Sequence, residues 1–202
     1  MDNLDLYKVT DATLWNAFKM GNVQAFQCIY EKHMRMLTNY GLRICADKEV
    51  VKDAIHDMFV DMWRNRMHLR HTNSINYYLI KALRRNLVKK IVKMRKKACE
   101  DIALLGENLL FEFSYEMEIT QSELKQEQIK KLYQALEKLS SRQKEVLFLR
   151  FFVGFSSSEI ADILEIHPQS AYNLIHRSLA TLRENMDYTA ITSLLLLISR
   201  LS

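Results

Sequence analysis

The sequence predicts an all-α protein, two small helical domains joined by an acidic linker, and three observations carry that expectation. The 202 residues include only 4 Gly and 1 Pro. That is too few turn-formers for an all-β fold and too few glycines for a phosphate-cradling loop. Apolar residues recur at helical spacing, and the set AVILMFWYC reaches 49% of the chain, enough to build a core. Charge is segregated: residues 1–61 sum to −2, 62–99 to +12 without one acidic side chain, 100–127 to −7 and 128–202 to +2, within a net charge of +5.

The acidic block marks the boundary between domains. Helical periodicity weakens there, and Gly106 and Asn108 interrupt it. We therefore expect a helical domain over 1–99, a linker over 100–127, a second helical domain over 128–188 and an apolar tail over 189–202. The start of the chain lacks the basic and apolar regions of a signal peptide. The longest purely apolar run, Leu194 to Ile198, is five residues, against roughly 20 for a membrane span. No membrane insertion is expected. The cysteines Cys28, Cys45 and Cys99 form no CxxC pair, which argues against a disulfide framework and for a reduced, cytoplasmic setting.

Within the first domain, residues 47–64 give the clearest helix. Val50, Val51, Ala54, Ile55, Met58, Phe59, Met62 and Trp63 form a wide apolar stripe. Asp53, Asp57 and Asp61 repeat every four residues on another face, where like charges cost a few tenths of a kcal/mol each. A cationic partner would relieve that cost. Residues 65–74 (NRMHLRHTNS) break the pattern as a loop, closed by an N-cap at Asn73 or Ser74. Helical spacing resumes over 75–97, with Ile75, Leu79, Ala82, Leu83 and Leu87 facing inward. Lys81, Arg84, Arg85, Lys89, Lys90 and Lys93 cover the outside. Tyr77 and Tyr78 open this helix; Tyr78 is expected to pack in the core. A basic helix beginning with aromatics beside an Asn/His/Arg loop suits phosphates and an unstacked base.

In the second domain, residues 128–139 form an amphipathic helix with Ile129, Leu132, Ala135, Leu136 and Leu139 inward. Ser140 and Gln143 make a capping box that starts a second helix, EVLFLRFF, which Gly154 stops. Ser156 and Glu159 make another, starting a short helix to Leu164. After the turn Glu165-Ile166-His167, Pro168 suits the first position of a helix running to about Asn185. Ile160, Ala161, Leu164, Ile166, Ala171, Leu174, Ile175 and Leu179 supply the shared core of a helix-turn-helix. The last helix then offers Gln169, Ser170, Tyr172, Asn173, His176 and Arg177 to base edges or phosphates of a major groove.

These pieces, in this order, resemble the RNA polymerase sigma factors of the sigma-70 superfamily, in the extracytoplasmic-function (ECF) group, over residues of about 12 to 186. DAIHDMFVDMWRNR resembles region 2.2, and SINYYLIKALRRNLVKKIVKMRKK resembles regions 2.3 and 2.4. ALEKLSSRQKEVLFLRFFVGFSSSEIADIL resembles region 4.1 into 4.2, and EIHPQSAYNLIHRSLATLRENM the region 4.2 recognition helix. The resemblance implies that Asp53, His56, Asp57, Asp61 and Arg64 dock on core RNA polymerase. It implies that Asn65, Arg66, His68, His71 and Asn73 capture a flipped base of the −10 element of promoter DNA. Tyr77, Lys81, Arg84, Arg85 and Lys89 then hold the adjoining DNA. Gln169, Ser170, Tyr172, Asn173, His176 and Arg177 read the −35 element. The acidic linker would run through polymerase channels, partly mimicking nucleic acid. An anti-sigma factor is a further partner that the resemblance implies. Where family members often carry a basic residue and an Arg, this chain has Tyr172 and Leu174, so a −35 sequence preference does not carry over.

Two other classes compete with this reading. An operator-binding helix-turn-helix regulator would share the second domain but would need neither the acidic-faced helix nor the acidic linker. An enzyme would need a site: His68-x-x-His71 lacks further ligands nearby, and no Walker, GxSxG or HExxH pattern occurs. No catalytic residue, metal or cofactor is expected.

Overall fold

The computed structural model describes residues 7–97, with side chains to residue 94, and residues 134–184. The chain divides into two compact units, Met1–Ile102 and Ala103–Ser202. The expected linker over 100–127 and the apolar tail lie outside the described residues. Among the described residues there is no strand, and no helix is long and apolar enough to cross a membrane.

Among the described residues the first unit has four α-helices: α1 (Asp11–Lys19), α2 (Val23–Ile44), α3 (Lys48–Arg64) and α4 (Ile75–Lys97). Short polar side chains set three of their starts. Thr10 caps α1, Asn22 accepts from the Ala25 N–H, and Asp47 accepts from the Glu49 and Val50 N–H groups. Gly21 makes the turn between α1 and α2 at φ 87°. The helix α2 packs on α1, α3 and α4, and α3 packs on α4. At Gly41 a Cβ atom would meet Val51 Cγ1 at 2.5 Å, so only glycine permits this approach of α2 to α3.

An aromatic cluster fills the space beneath the 65–74 loop. Phe18 lies 5.2 Å from Trp15, 5.7 Å from Phe26 and 6.3 Å from Trp63, and Phe26 lies 5.0 Å from Trp63. Trp15 and Phe18 are wholly buried. On α4, Ile75, Leu79, Leu83 and Leu87 face inward as expected. Ala82 does not: it is half-buried, and Ile80 is wholly buried in its place. Cys28 and Cys45 are buried free thiols.

In the second unit residues 134–137 are helical, with Ala135, Leu136 and Leu139 buried; Ile129 and Leu132 lie outside the described residues. The helix α5 (Ser141–Leu147) begins at the Ser140–Gln143 capping box. It does not continue as an α-helix through EVLFLRFF, because Phe148–Phe152 widens into a π-turn with Phe148 and Phe152 stacked at 4.8 Å. Gly154, at φ 86°, ends it. The helix α6 (Ser157–Leu164) starts at the complete Ser156–Glu159 box. Glu165 takes the left-handed conformation at φ 55°, and His167 caps α7 (Pro168–Arg183) with Pro168 inside its first turn. Ile160, Ala161, Leu164, Ala171 and Ile175 are buried as expected, whereas Ile166, Leu174 and Leu179 are only half-buried. Ile163, Ser178 and Leu182 complete the core. Ser178 is tolerated there because its hydroxyl donates to the Leu174 carbonyl at 2.7 Å.

Candidate docking and nucleic-acid surfaces

The helix α3 separates its two faces cleanly. Val51, Ala54, Ile55, Met58, Phe59 and Met62 are buried, while Asp53, His56, Asp57, Asp61 and Arg64 are exposed along one arc of the same helix. Part of the charge relief expected from a partner is internal. Lys90 Nζ on α4 lies 2.7 Å from Asp57 Oδ2, so Lys90 is an ion-pair partner and not simply one more cation on the outer surface. Nothing in the sequence signals a pair 33 positions apart on two helices.

The loop leaving α3 is anchored at several points. The Asn65 amide N–H and side-chain Nδ2 both donate to the Asp61 carbonyl, at 3.0 and 2.9 Å. A turn of 3₁₀ helix follows at Arg66–His68. Arg66 stands apart from the other loop residues. Its Nη1 donates to the Trp63 carbonyl at 2.7 Å and its guanidinium lies 4.6 Å from the centre of the Trp63 ring. Its Nε is buried without a hydrogen-bond partner. The expectation that Arg66 joins the base-capturing surface therefore meets a side chain folded onto the aromatic cluster, where cation–π attraction holds it. His68, His71 and Asn73 are exposed, and so is Met67, which the sequence reading did not single out.

Farther along, Trp15 Nε1 donates to the Arg70 carbonyl at 3.0 Å. Ser74, not Asn73, caps α4: its Oγ accepts from the Tyr77 N–H at 3.2 Å, and Asp11 Oδ2 accepts from the Ile75 N–H at 2.8 Å. Tyr77, Lys81 and Arg84 are half-buried, while Arg85 and Lys89 are exposed. The Lys81 ammonium lies 5.9 Å from the Tyr77 ring. Tyr78, expected in the core, is half-buried with its ring 4.7 Å from that of Trp15, and burial raises its phenol pKa, with Arg85 opposing.

On α7, Gln169, Ser170, Tyr172, Asn173, His176 and Arg177 are all exposed. Two contacts order them: Gln169 Nε2 donates to Asn173 Oδ1 at 3.2 Å, and the Tyr172 and His176 rings lie 4.2 Å apart. Among the described residues no group of three His, Cys, Asp or Glu side chains could hold a metal ion.

The Sigma-70 region 2 family matches residues 29–97, and Sigma-70, region 4 matches residues 129–182. The chain is 19% identical over 172 residues to the ECF RNA polymerase sigma factor SigX of Bacillus subtilis (strain 168), covering 81% of this chain and 84% of SigX. Among solved structures it resembles the sigma factor RpoE in complex with the anti-sigma factor NepR from Bartonella quintana. That match has a TM-score of 0.57 and 16% identity, covering 80% of this chain and 96% of RpoE. It also resembles CnrH in complex with the cytosolic domain of CnrY, with a TM-score of 0.55 and 19% identity over 86% of this chain and 95% of CnrH. The exposed faces of α3, α4 and α7 thus fall within two regions of one family, which together span more than half of the sequence. The chain belongs to the sigma-70 family of RNA polymerase sigma factors, in its ECF group.

Proposed function

We propose that this sigma factor divides its work among three surfaces. Asp53, His56, Asp57, Asp61 and Arg64 on α3 dock on core RNA polymerase. Asn65, His68, His71 and Asn73 receive a base flipped from the −10 element, and Tyr77, Lys81, Arg84, Arg85 and Lys89 hold the neighbouring backbone. Gln169, Ser170, Tyr172, Asn173, His176 and Arg177 read the −35 element. Flipping a base costs a few kcal/mol, and phosphate contacts from the basic helix offset that cost. The chain performs no chemistry itself; the polymerase does. Arg66 enters this reading through the loop it braces. Domain limits of 1–99 and 128–188 around a 100–127 linker belong to the same proposal, as does a cytoplasmic location. An anti-sigma partner is part of it too, supported by the complex in which the RpoE relative was solved.

The observation that supports the reading is the exposure of the α3, loop and α7 side chains named above, Arg66 apart, and of Arg85 and Lys89 on α4, with Tyr77, Lys81 and Arg84 half-buried beside them, within two sigma regions. The test is transcription in vitro from a randomised promoter library with purified core polymerase, with and without the chain. New start sites sharing −10 and −35 sequences are expected. Unaltered start sites, together with sequence-specific binding by the chain alone, would favour an operator-binding regulator.

A further inference from the structure

Two of the hydrogen bonds that hold the 65–74 loop come from α1, a helix given no role so far. Trp15 and Asp11 lie four residues apart on α1, hence on one face and about 6 Å apart along the axis. The first donates to the Arg70 carbonyl at 3.0 Å; the second accepts from the Ile75 N–H at 2.8 Å. These two points bracket His71, Thr72, Asn73 and Ser74. Inside the bracket the loop closes on itself, with Thr72 Oγ1 donating to the Ser74 carbonyl and accepting from the Ser74 N–H. His71 and Asn73 are left exposed.

The brace is rigid at its own end. Trp15 is wholly buried, with its ring against Phe18 and Tyr78. Thr10 caps α1, and Asp11 also lies 3.9 Å from Lys32 on α2. Neither residue is suited to touch DNA. The indole is out of reach of solvent, and a carboxylate repels phosphate. At the first N–H of α4, however, that carboxylate is favourable, because it satisfies an orphan donor and complements the positive end of the helix. Both residues precede position 29, where the region 2 match begins.

We propose that Asp11 and Trp15 are positioning residues for −10 recognition. They hold the Arg70–Ile75 backbone so that His71 and Asn73 meet the captured base, and thereby set base selectivity without contacting DNA. This inference rests on the assignment of the loop to the −10 element. The test uses the full chain with core polymerase on promoters differing in single −10 or −35 bases. Trp15→Phe keeps an aromatic ring in the core and removes the N–H donor. Asp11→Ala removes the acceptor, and Asp11→Asn keeps an acceptor oxygen while losing the charge.

Trp15→Phe and Asp11→Ala are expected to lower −10 base discrimination about three- to tenfold, the size of one net hydrogen bond. Preference at −35 and affinity for core polymerase should stay within about twofold of wild type, and Asp11→Asn should restore −10 discrimination. Unchanged −10 discrimination in Asp11→Ala, or an equal loss of −10 discrimination, −35 discrimination and polymerase affinity in both variants, would overturn the proposal. The second pattern would indicate a purely structural role. If wild type itself shows no −10 preference, the assignment of the loop fails and the proposal fails with it. A wild type with −10 preference and variants that match it would sink the positioning role alone.

Discussion

The 65–74 loop and the first turns of α7 both present polar side chains to solvent, yet they are held by different means. The start of α7 is organised within its own neighbourhood. Glu165 in the left-handed region turns the chain, His167 Nδ1 accepts from the Gln169 N–H at 3.3 Å, and Pro168 fits the first turn. The loop is organised from a distance, by Trp15 across 55 residues and by Asp11 across 64, over an aromatic cluster drawn from three helices. A locally built surface tolerates changes elsewhere in the molecule. A remotely built one transmits them, so substitutions far from the loop should alter what it binds.

The largest expected effect breaks the remote support. Phe18 is wholly buried and its ring lies near Trp15, Phe26 and Trp63. Phe18→Ala is expected to destabilise the protein by about 3–5 kcal/mol, combining lost transfer energy with a cavity. Denaturant unfolding monitored by tryptophan fluorescence measures it, since Trp15 and Trp63 both border the cavity. A loss under about 1 kcal/mol would mean that the cluster does not carry the loop.

Part of the first unit's response to acid should come from one buried group. His33 on α2 is buried, and its Nε2 has no hydrogen-bond partner. Burial chiefly, and Lys32 after it, bring its pKa down from 6.5 to about 4 against the opposing influence of Asp11 and Asn76. Between those values the unfolded chain binds a proton that the native state does not. Stability therefore falls as pH drops from about 6.5 to about 4, by about 3 kcal/mol in total. His33→Gln should remove this component. Subtracting its pH–stability curve from that of wild type isolates the histidine from carboxylates such as Glu31, and a flat difference would show that His33 titrates normally.

The local support should break more gently. Ser156 and Glu159 exchange hydrogen bonds across the start of α6, the Ser156 N–H donating to Glu159 Oε2 at 2.8 Å and the Glu159 N–H to Ser156 Oγ at 3.2 Å. Ser156→Ala is expected to cost about 0.5–2 kcal/mol. Binding of −35 DNA by the folded variant should be unchanged, because α7 keeps its own cap. A fall in −35 affinity as large as the fall in stability would erase the contrast drawn between the two surfaces.

The same contrast decides what the sequence makes legible. Both capping boxes, Pro168 and the apolar stripe of α3 are patterns of neighbouring residues, and each is visible in the chain as written. The exposed faces of α3 and α7 follow from those patterns by helical geometry alone. The tethers from Asp11 and Trp15 are invisible there, because tertiary packing determines which distant donor meets which carbonyl. The inward fold of Arg66 is hidden for a related reason: a long side chain has many rotamers, and only the position of Trp63 beneath it selects one. The π-turn at Phe148–Phe152 lacks a local signal as well, since its residues read as an ordinary amphipathic helix.

The smallest effect concerns a contact between the acidic face of α3 and the basic helix α4. Asp57 and Lys90 are 2.7 Å apart, but their side chains are 54% and 32% exposed, so water and salt screen the pair. A double-mutant cycle on Asp57→Asn and Lys90→Met should give a coupling of about 0–1 kcal/mol in stability, shrinking as ionic strength rises. Of the long-range contacts named here, this pair has the least energy behind it. A polymerase that engages Asp57 could displace Lys90 at little cost and leave its ammonium available to a DNA phosphate. If so, Lys90→Met should reduce DNA binding by the polymerase-bound chain and spare its binding to polymerase. Equal losses in both would indicate that the pair instead fixes the spacing of the two helices.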